Sequence, residues 1–243
     1  MIQDAYEPEW MPGRDAFFRI MDSHGMTLKR PRPRHTTNSN HRYHRYKNLT
    51  IGMSLTRPNQ LWVSDITYID IMNNSSYLHL VTDAYSHKII GWCLAESLNA
   101  RYTIEALRMA IAQTGQDDLT GLVHHSDRGT QYCCNAYVDE LMAHNISVSM
   151  TEDYKPTDNA IAERVNGIIK QELIYRRKQF STYEEAYEAI DKFITFYNDS
   201  RPHMSIGYQT PTIAHQQEGK QQRHWKGYYE RCQQKQYDNC QQK

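Results

Sequence analysis

The sequence predicts an α/β fold, and three stretches predict it. LWVSDITYIDI (61–71) is β-branched and aromatic, and apolar on both faces except at Asp65, the pattern of a strand in the middle of a sheet. YLHLVTDAYS (77–86) and KIIGWCLA (88–95) follow as the second and third strands of an antiparallel meander. Past residue 100 the period changes. Ile104, Leu107, Ala110 and Ile111 recur at helical spacing, and short strands then alternate with helices.

The other elements fall into place in chain order. Residues 11–28 predict a short helix with Phe17, Phe18, Ile20 and Met21 on its apolar side. LKRPRPRHTTNSNHRYHRYK (28–47) reads as an extended basic arm, because proline fixes φ and removes a backbone donor. Residues 56–60, with Pro58, form an entry turn, and the run Asn-Asn-Ser-Ser at 73–76 a second turn. A helix is expected over 101–113. GLVHHS (121–126) is a short strand that ends just before Asp127. Tyr137, Leu141 and Met142 mark a helix, and ISVSM (146–150) a last short strand. The polar loop 151–158 leads into a helix over 159–177 and then a second one over 182–199, acidic at its start. YNDSRPHMSIGYQTP (197–211) is a turn-rich closing segment, and the Gln/Lys/Arg-rich tail from 216 is expected to be mobile.

Composition narrows the function classes. The 243 residues leave room for one core domain and a small appendage. No apolar run approaches the roughly 20 residues of a membrane span, and the N-terminus lacks the charge-then-apolar order of an export signal. The expected setting is cytoplasmic and nucleoid-associated. The five cysteines (93, 133, 134, 232, 240) contain no CxxC pair, which argues for reduced thiols and against a zinc site. The net charge of zero hides an asymmetry: residues 23–64 hold eight Lys or Arg and no Asp or Glu. Arg30, Arg32, Arg34, Arg42, Arg45 and Lys47, with Tyr43 and Tyr46 between them, read as a DNA-contacting stretch that neutralises phosphates.

Three acids stand out: Asp65, Asp127 and Glu163. A carboxylate inside an apolar central strand is costly unless a cation or basic partner offsets it, and no basic residue lies within 61–71. Asp127 directly follows a strand, where ligands of α/β sheets gather, and Gly129 lets the backbone bend close; a plain turn-capping aspartate would also suit Asp-Arg-Gly. Glu163, Asn166, Gly167 and Lys170 fall at i, i+3, i+4 and i+7, one face of a helix, beside an apolar face of Ala162, Val165, Ile169 and Leu173. His124 and His125 suit core or supporting roles. Three converging carboxylates can hold two divalent cations, and two cations can drive in-line attack on a phosphodiester.

RPNQLWVSDITYI, VTDAYSHKIIGW, HHSDRGTQY, DNAIAERVNGIIKQEL and YNDSRPHMSIGYQTP together resemble, in order, the blocks of the integrase-core transposases of bacterial insertion sequences, relatives of the retroviral integrase catalytic core. The resemblance covers roughly 55–215. It implies a ribonuclease-H-like, five-stranded mixed sheet flanked by helices, with a short N-terminal helical and basic arm. It implies that Asp65, Asp127 and Glu163 are the catalytic, metal-holding triad. Two Mg²⁺ ions are implied, with Mn²⁺ able to substitute. Lys170 falls on the family's helix lysine, and Lys170 and Asn166 are expected to touch DNA rather than to catalyse. The implied reaction is strand cleavage followed by 3′-hydroxyl strand transfer, with no Ser or Tyr nucleophile.

The expected organisation is an arm over 1–54, a catalytic core over 55–215 and a tail over 216–243. Only about 50 residues precede the core, whereas full-length members of that family usually carry a longer helix-turn-helix-like region there. The expected partners are therefore DNA, further copies of this chain and an upstream-frame transposase subunit, with no membrane. Two other readings stay open. One is a non-catalytic DNA-binding derivative of a transposase. The other is a different nuclease of the same fold, for which Asp70, Asp83 and Asp158 are spare acids.

Overall fold

A computed structural model describes residues 12–27, 41–72, 74–152, 159–176 and 179–221. The chain divides into two compact units at 36/37. In the first, Arg14–Ser23 (α1) is helical. The helix is shorter than the expected 11–28, because His24 caps it and Gly25 turns the chain at a φ of 66°. None of its residues is buried.

The second unit carries the sheet. Among the described residues, Leu61–Ile71 (β1), Asn74–Asp83 (β2), Ile89–Ala95 (β3), Val123–Ser126 (β4) and Ser147–Met150 (β5) form one sheet in the order β3-β2-β1-β4-β5. The first three strands pair antiparallel, as short hairpins allow. β4 and β5 pair parallel, because the chain returns to them through helices Ala100–Thr114 (α2), Thr130–Cys133 (α3) and Asn135–Ala143 (α4). Asn99 caps α2 by accepting the Arg101 N–H, and Gly115 closes it in the left-handed conformation.

Strand parity sorts the core into two layers. On one face Ile69, Ile71, Leu78 and Leu80 pack with Val165, Ile169 and Leu173, and with Ile190 and Tyr197 of the later helix Tyr183–Asp199 (α6). On the other face Trp62 and Val81 pack with Leu107, Ala110, Tyr137 and Leu141. α2 lies so close to β3 that a Cβ on Gly91 would sit 2.1 Å from the Ala106 carbonyl oxygen. Asp65 shares the parity of Ile69 and Ile71, so it belongs to the first face, under the helix Ala160–Ile169 (α5).

Four details differ from the sequence expectation. Asn74–Ser76, expected to lie in the turn after β1, already pair with Ile69–Ile71. A hairpin ladder here overrides the turn preference of Asn and Ser, with Met72 taking a φ of 50°. The helix expected over 159–177 is α-helical only to Ile169, and Lys170–Ile174 form a π-helical turn. The stretch 41–54, expected as part of an arm over 1–54, packs with the sheet. Residues 41–54 belong to the same compact unit as the sheet, because Asn48 N donates to Glu152 Oε1 (3.0 Å) and Leu49 N to Ser149 Oγ (2.9 Å). Nor is residue 216 the start of a free tail. Gly219 N donates to the Thr56 carbonyl (2.6 Å) and Tyr85 Oη to the Gly219 carbonyl (3.0 Å).

The closing segment staples the layers. Asn198 both donates to and accepts from the Ile89 backbone (2.9 and 3.0 Å). Arg201 grips Glu172 of the π-turn through Nε and Nη2 (2.9 and 2.6 Å). His215 meets Ser86 Oγ at 2.9 Å.

Candidate active site

β1 and β4 run parallel with Val63 opposite His125. Asp65 and Asp127 each lie two residues further along their chains, near enough that the negative charge of Asp127 acts on Asp65. Asp65 is partly buried. Its Oδ1 accepts the Ile66 N–H (2.8 Å) and its Oδ2 accepts Asn166 Nδ2 (2.6 Å). Burial, and then the negative charge of Asp127, raise its pKa to about 7, against the opposing pull of the Ile66 N–H, the Asn166 amide and the Lys170 ammonium.

Asp127 Oδ1 accepts the Gly129 N–H at 2.9 Å, so it does form the turn-capping bond that its neighbours suggest. A Cβ on Gly129 would stand 2.9 Å from the same oxygen, which is why the position suits glycine.

α5 brings the third group. Asn159 anchors its start by donating to the Ser64 carbonyl (3.1 Å), next to Asp65. Glu163 stands exposed in the first turn without a hydrogen-bond partner among the described residues, and the desolvation it does feel raises its pKa. Gly167 has open space around it: an added Cβ would meet nothing within 4 Å. Lys170 begins the π-turn, close enough to Asp65 to stabilise its charge. Asn166, expected to touch DNA, is 5% exposed; its Nδ2 donates to Asp65 Oδ2, and its buried Oδ1 has no partner among the described residues.

Among the described residues, no three His, Cys, Asp or Glu side chains are near enough to hold one ion. Asp65 and Asp127 are together, and Glu163 stays outside that pair. The donor chemistry of the pair still fits a hard divalent cation, because two carboxylate oxygen sets face each other at a cost that a cation would relieve.

The surroundings explain the other polar residues. His124 is buried, with the hydroxyls of Ser64 and Tyr137 at 2.7 and 2.9 Å from Nε2, and burial pushes its pKa down to about 3, so it is neutral. His125 Nδ1 lies 2.8 Å from Ser149 Oγ. Both histidines are core residues, as expected. Asp83, the spare acid, is fully buried and accepts from Asn59 N, Ser86 N and Ser86 Oγ (2.8, 2.8 and 2.7 Å). Asp70 is exposed near the far end of β1, and Asp158 lies outside the described residues. Arg42, Arg45 and Lys47 are exposed on the stretch that runs beside β5, and His41 Nε2 reaches the Arg128 carbonyl at 2.7 Å. Arg30, Arg32 and Arg34 lie outside the described residues.

No helix among the described residues is long and apolar enough to cross a membrane. Two models, both described as integrase core domain, match residues 56–156 and 144–211. The chain is 34% identical over 208 residues to the insertion element IS600 uncharacterized 31 kDa protein of Shigella sonnei, covering 82% of this chain and 73% of that protein. It is 34% identical over 157 residues to the putative transposase for insertion sequence element IS986/IS6110 of Mycobacterium tuberculosis, covering 63% of this chain and 56% of that protein. The chain thus spans about half the length of that mycobacterial relative. Among solved structures, the trimeric form of the HTLV-2 integrase catalytic core domain in complex with magnesium superposes with a TM-score of 0.53 at 21% identity, over 67% of this chain and 99% of that one. A simian T-cell lymphotropic virus intasome chain gives 0.54 at 20% identity, over 88% and 70%. At those identities the likeness speaks for a shared ribonuclease-H-like fold.

Proposed function

This chain belongs to the integrase core domain family, and from that premise we propose that it is a transposase subunit that cuts DNA strands and joins the freed 3′-hydroxyl to a new phosphodiester. The observation that carries the reading is the parallel register that sets Asp65 beside Asp127, beneath a helix whose Glu163 and Lys170 lie at i and i+7. Asp65 and Asp127 would hold Mg²⁺, or Mn²⁺ in its place, with Glu163 the third ligand and two ions the expected number. Bound there, the metal supplies charge stabilisation to the attacking and leaving oxygens. Asn166 Nδ2 holds Asp65 by Oδ2, while Oδ1 accepts the Ile66 N–H. Lys170 is a point charge for a phosphate. Gly167 supports the same surface, since it sits in a helix where nothing among the described residues occupies the space a side chain would take.

Exposed Arg42, Arg45 and Lys47 extend the positive surface along the β5 edge, and we assign them to DNA phosphates. Two ends must meet for transposition, so the working form is a multimer on DNA in the cytoplasm, at the nucleoid. An upstream-frame subunit is the expected source of further DNA-binding helices.

The rival four-carboxylate nuclease loses support at Asp83, whose oxygens are taken up by backbone and Ser86 donors. The rival non-catalytic binder is tested by Asp127→Asn. Strand cleavage should disappear while DNA binding in a mobility-shift assay is retained, because the substitution removes a negative charge and no phosphate-binding group. Cleavage that survives the substitution would refute the acid assignment.

A further inference from the structure

His41 and Arg128 are 87 positions apart, and one hydrogen bond joins them: His41 Nε2 lies 2.7 Å from the Arg128 carbonyl oxygen. A carbonyl only accepts, so Nε2 carries the hydrogen and donates it. The bond is partly buried, and the other ring nitrogen, Nδ1, is shielded from solvent with no partner among the described residues. Further along, the same stretch is seated on the sheet edge. There the Lys47 carbonyl accepts the Met150 N–H (3.4 Å) and Leu49 N donates to Ser149 Oγ (2.9 Å).

What His41 holds is the peptide between Arg128 and Gly129. The carbonyl of that peptide takes the His41 bond, and its N–H donates to Asp127 Oδ1 at 2.9 Å. The peptide is planar, so its two ends turn together. Fixing the carbonyl therefore fixes where the N–H points, and each bond polarises the peptide in the sense that strengthens the other. Glycine on one side gives this peptide more freedom to rotate than other residues would, which an outside clamp removes.

We propose that His41 is a positioning residue for Asp127: by clamping the Arg128–Gly129 peptide, it holds the N–H that orients the carboxylate. It acts through the peptide and not on the reacting phosphate. Its consequence for metal binding rests on the role assigned to Asp127 above. The basic stretch then does two things: it offers Arg42, Arg45 and Lys47 to phosphates, and it sets one acid of the site.

His41→Phe keeps a ring and removes the donor, whereas His41→Gln restores an N–H donor at about the reach of Nε2. In the full chain, three readouts are compared with wild type: exchange of the Gly129 amide by NMR in EDTA, the Mg²⁺ concentration giving half of the metal-induced rise in melting temperature, and strand joining at saturating DNA. In His41→Phe the Gly129 amide should exchange on the order of tenfold faster. The Mg²⁺ requirement should rise on the order of tenfold, and joining should fall while DNA binding is retained. His41→Gln should recover most of each. Wild-type Gly129 exchange in His41→Phe would overturn the proposal, whatever the melting temperature of the variant. So would a defect that His41→Gln shares in full, since ring packing and not the donor would then be responsible. Asp127→Asn separates the two readings. If Mg²⁺ raises its melting temperature as in wild type, the metal-holding role of Asp127 fails, while Gly129 exchange still decides whether His41 positions that turn.

Discussion

Asp65 and Asp83 sit on one hairpin and live in opposite chemistry. Asp83, paired across the ladder with Trp62, is fully buried and yet held below the ordinary carboxylate pKa. Burial opposes its charge, but His215, the Ser86 N–H and the Asn59 N–H outweigh it. Asp65, paired with Leu80, has two donors, faces a second acid and is raised to about 7. The first acid is satisfied by the fold and ties the β2–β3 turn to the entry turn and the closing segment. The second is left wanting positive charge. Within one sheet, supply of donors separates a satisfied carboxylate from the one proposed to hold metal.

The largest expected effect breaks the comparison at its functional end. Asp65→Asn should reduce strand joining on the order of a thousandfold, since several kcal/mol of charge stabilisation is lost at about 1.4 kcal/mol per decade. The same variant should not unfold, which a urea melt would show.

Asp83→Ala inverts that pattern. It leaves the Asn59 and Ser86 donors buried without an acceptor, and should cost roughly 3 kcal/mol in urea unfolding.

The pH response separates the two acids in metal-free protein. A depressed pKa contributes stability that is present above the ordinary aspartate value and lost as pH falls through the folded value, so Asp83 favours the fold at neutral pH. A raised pKa acts the other way. Between 3.8 and about 7 folded Asp65 keeps a proton that the unfolded chain has released, so stability falls as pH rises across that window. Asp65→Asn should remove this decline, measured by melting temperature against pH in EDTA, and Mg²⁺ should offset it above pH 7 in wild type.

The smallest effects come from two glycines. Gly129→Ala pushes a Cβ against Asp127 Oδ1 and should cut joining about tenfold with little change in melting temperature, because the atom displaced is a side-chain tip. Gly167→Ala meets nothing and should stabilise α5 by up to about 1 kcal/mol. If DNA lies against that face, the same variant weakens DNA binding in a mobility shift.

Much of this was legible in the chain itself. β1 announced its central place through a two-sided apolar run, and Asp65 stood out within it as the lone carboxylate of the buried half. The β4 strand ended where the pattern placed it, and so set Asp127. Other features left no periodic trace. A π-turn at Lys170–Ile174 keeps the apolar spacing of a helix, so 159–177 looked continuous. Asn166 lies at the margin of two helix faces, and spacing alone assigned it to the outer one. The packing of residues 41–54 depends on backbone donors meeting Glu152 and Ser149, which hydropathy does not register.

The most direct test of the central claim is joining of a labelled 3′-hydroxyl end, taken from the DNA flanking this reading frame, to plasmid DNA in Mn²⁺, with wild type beside Glu163→Gln. Joining by wild type and not by Glu163→Gln is the predicted result, and would complete the Asp65–Asp127 pair with its third acid. Equal joining by both would remove Glu163 from the active site and contradict the triad.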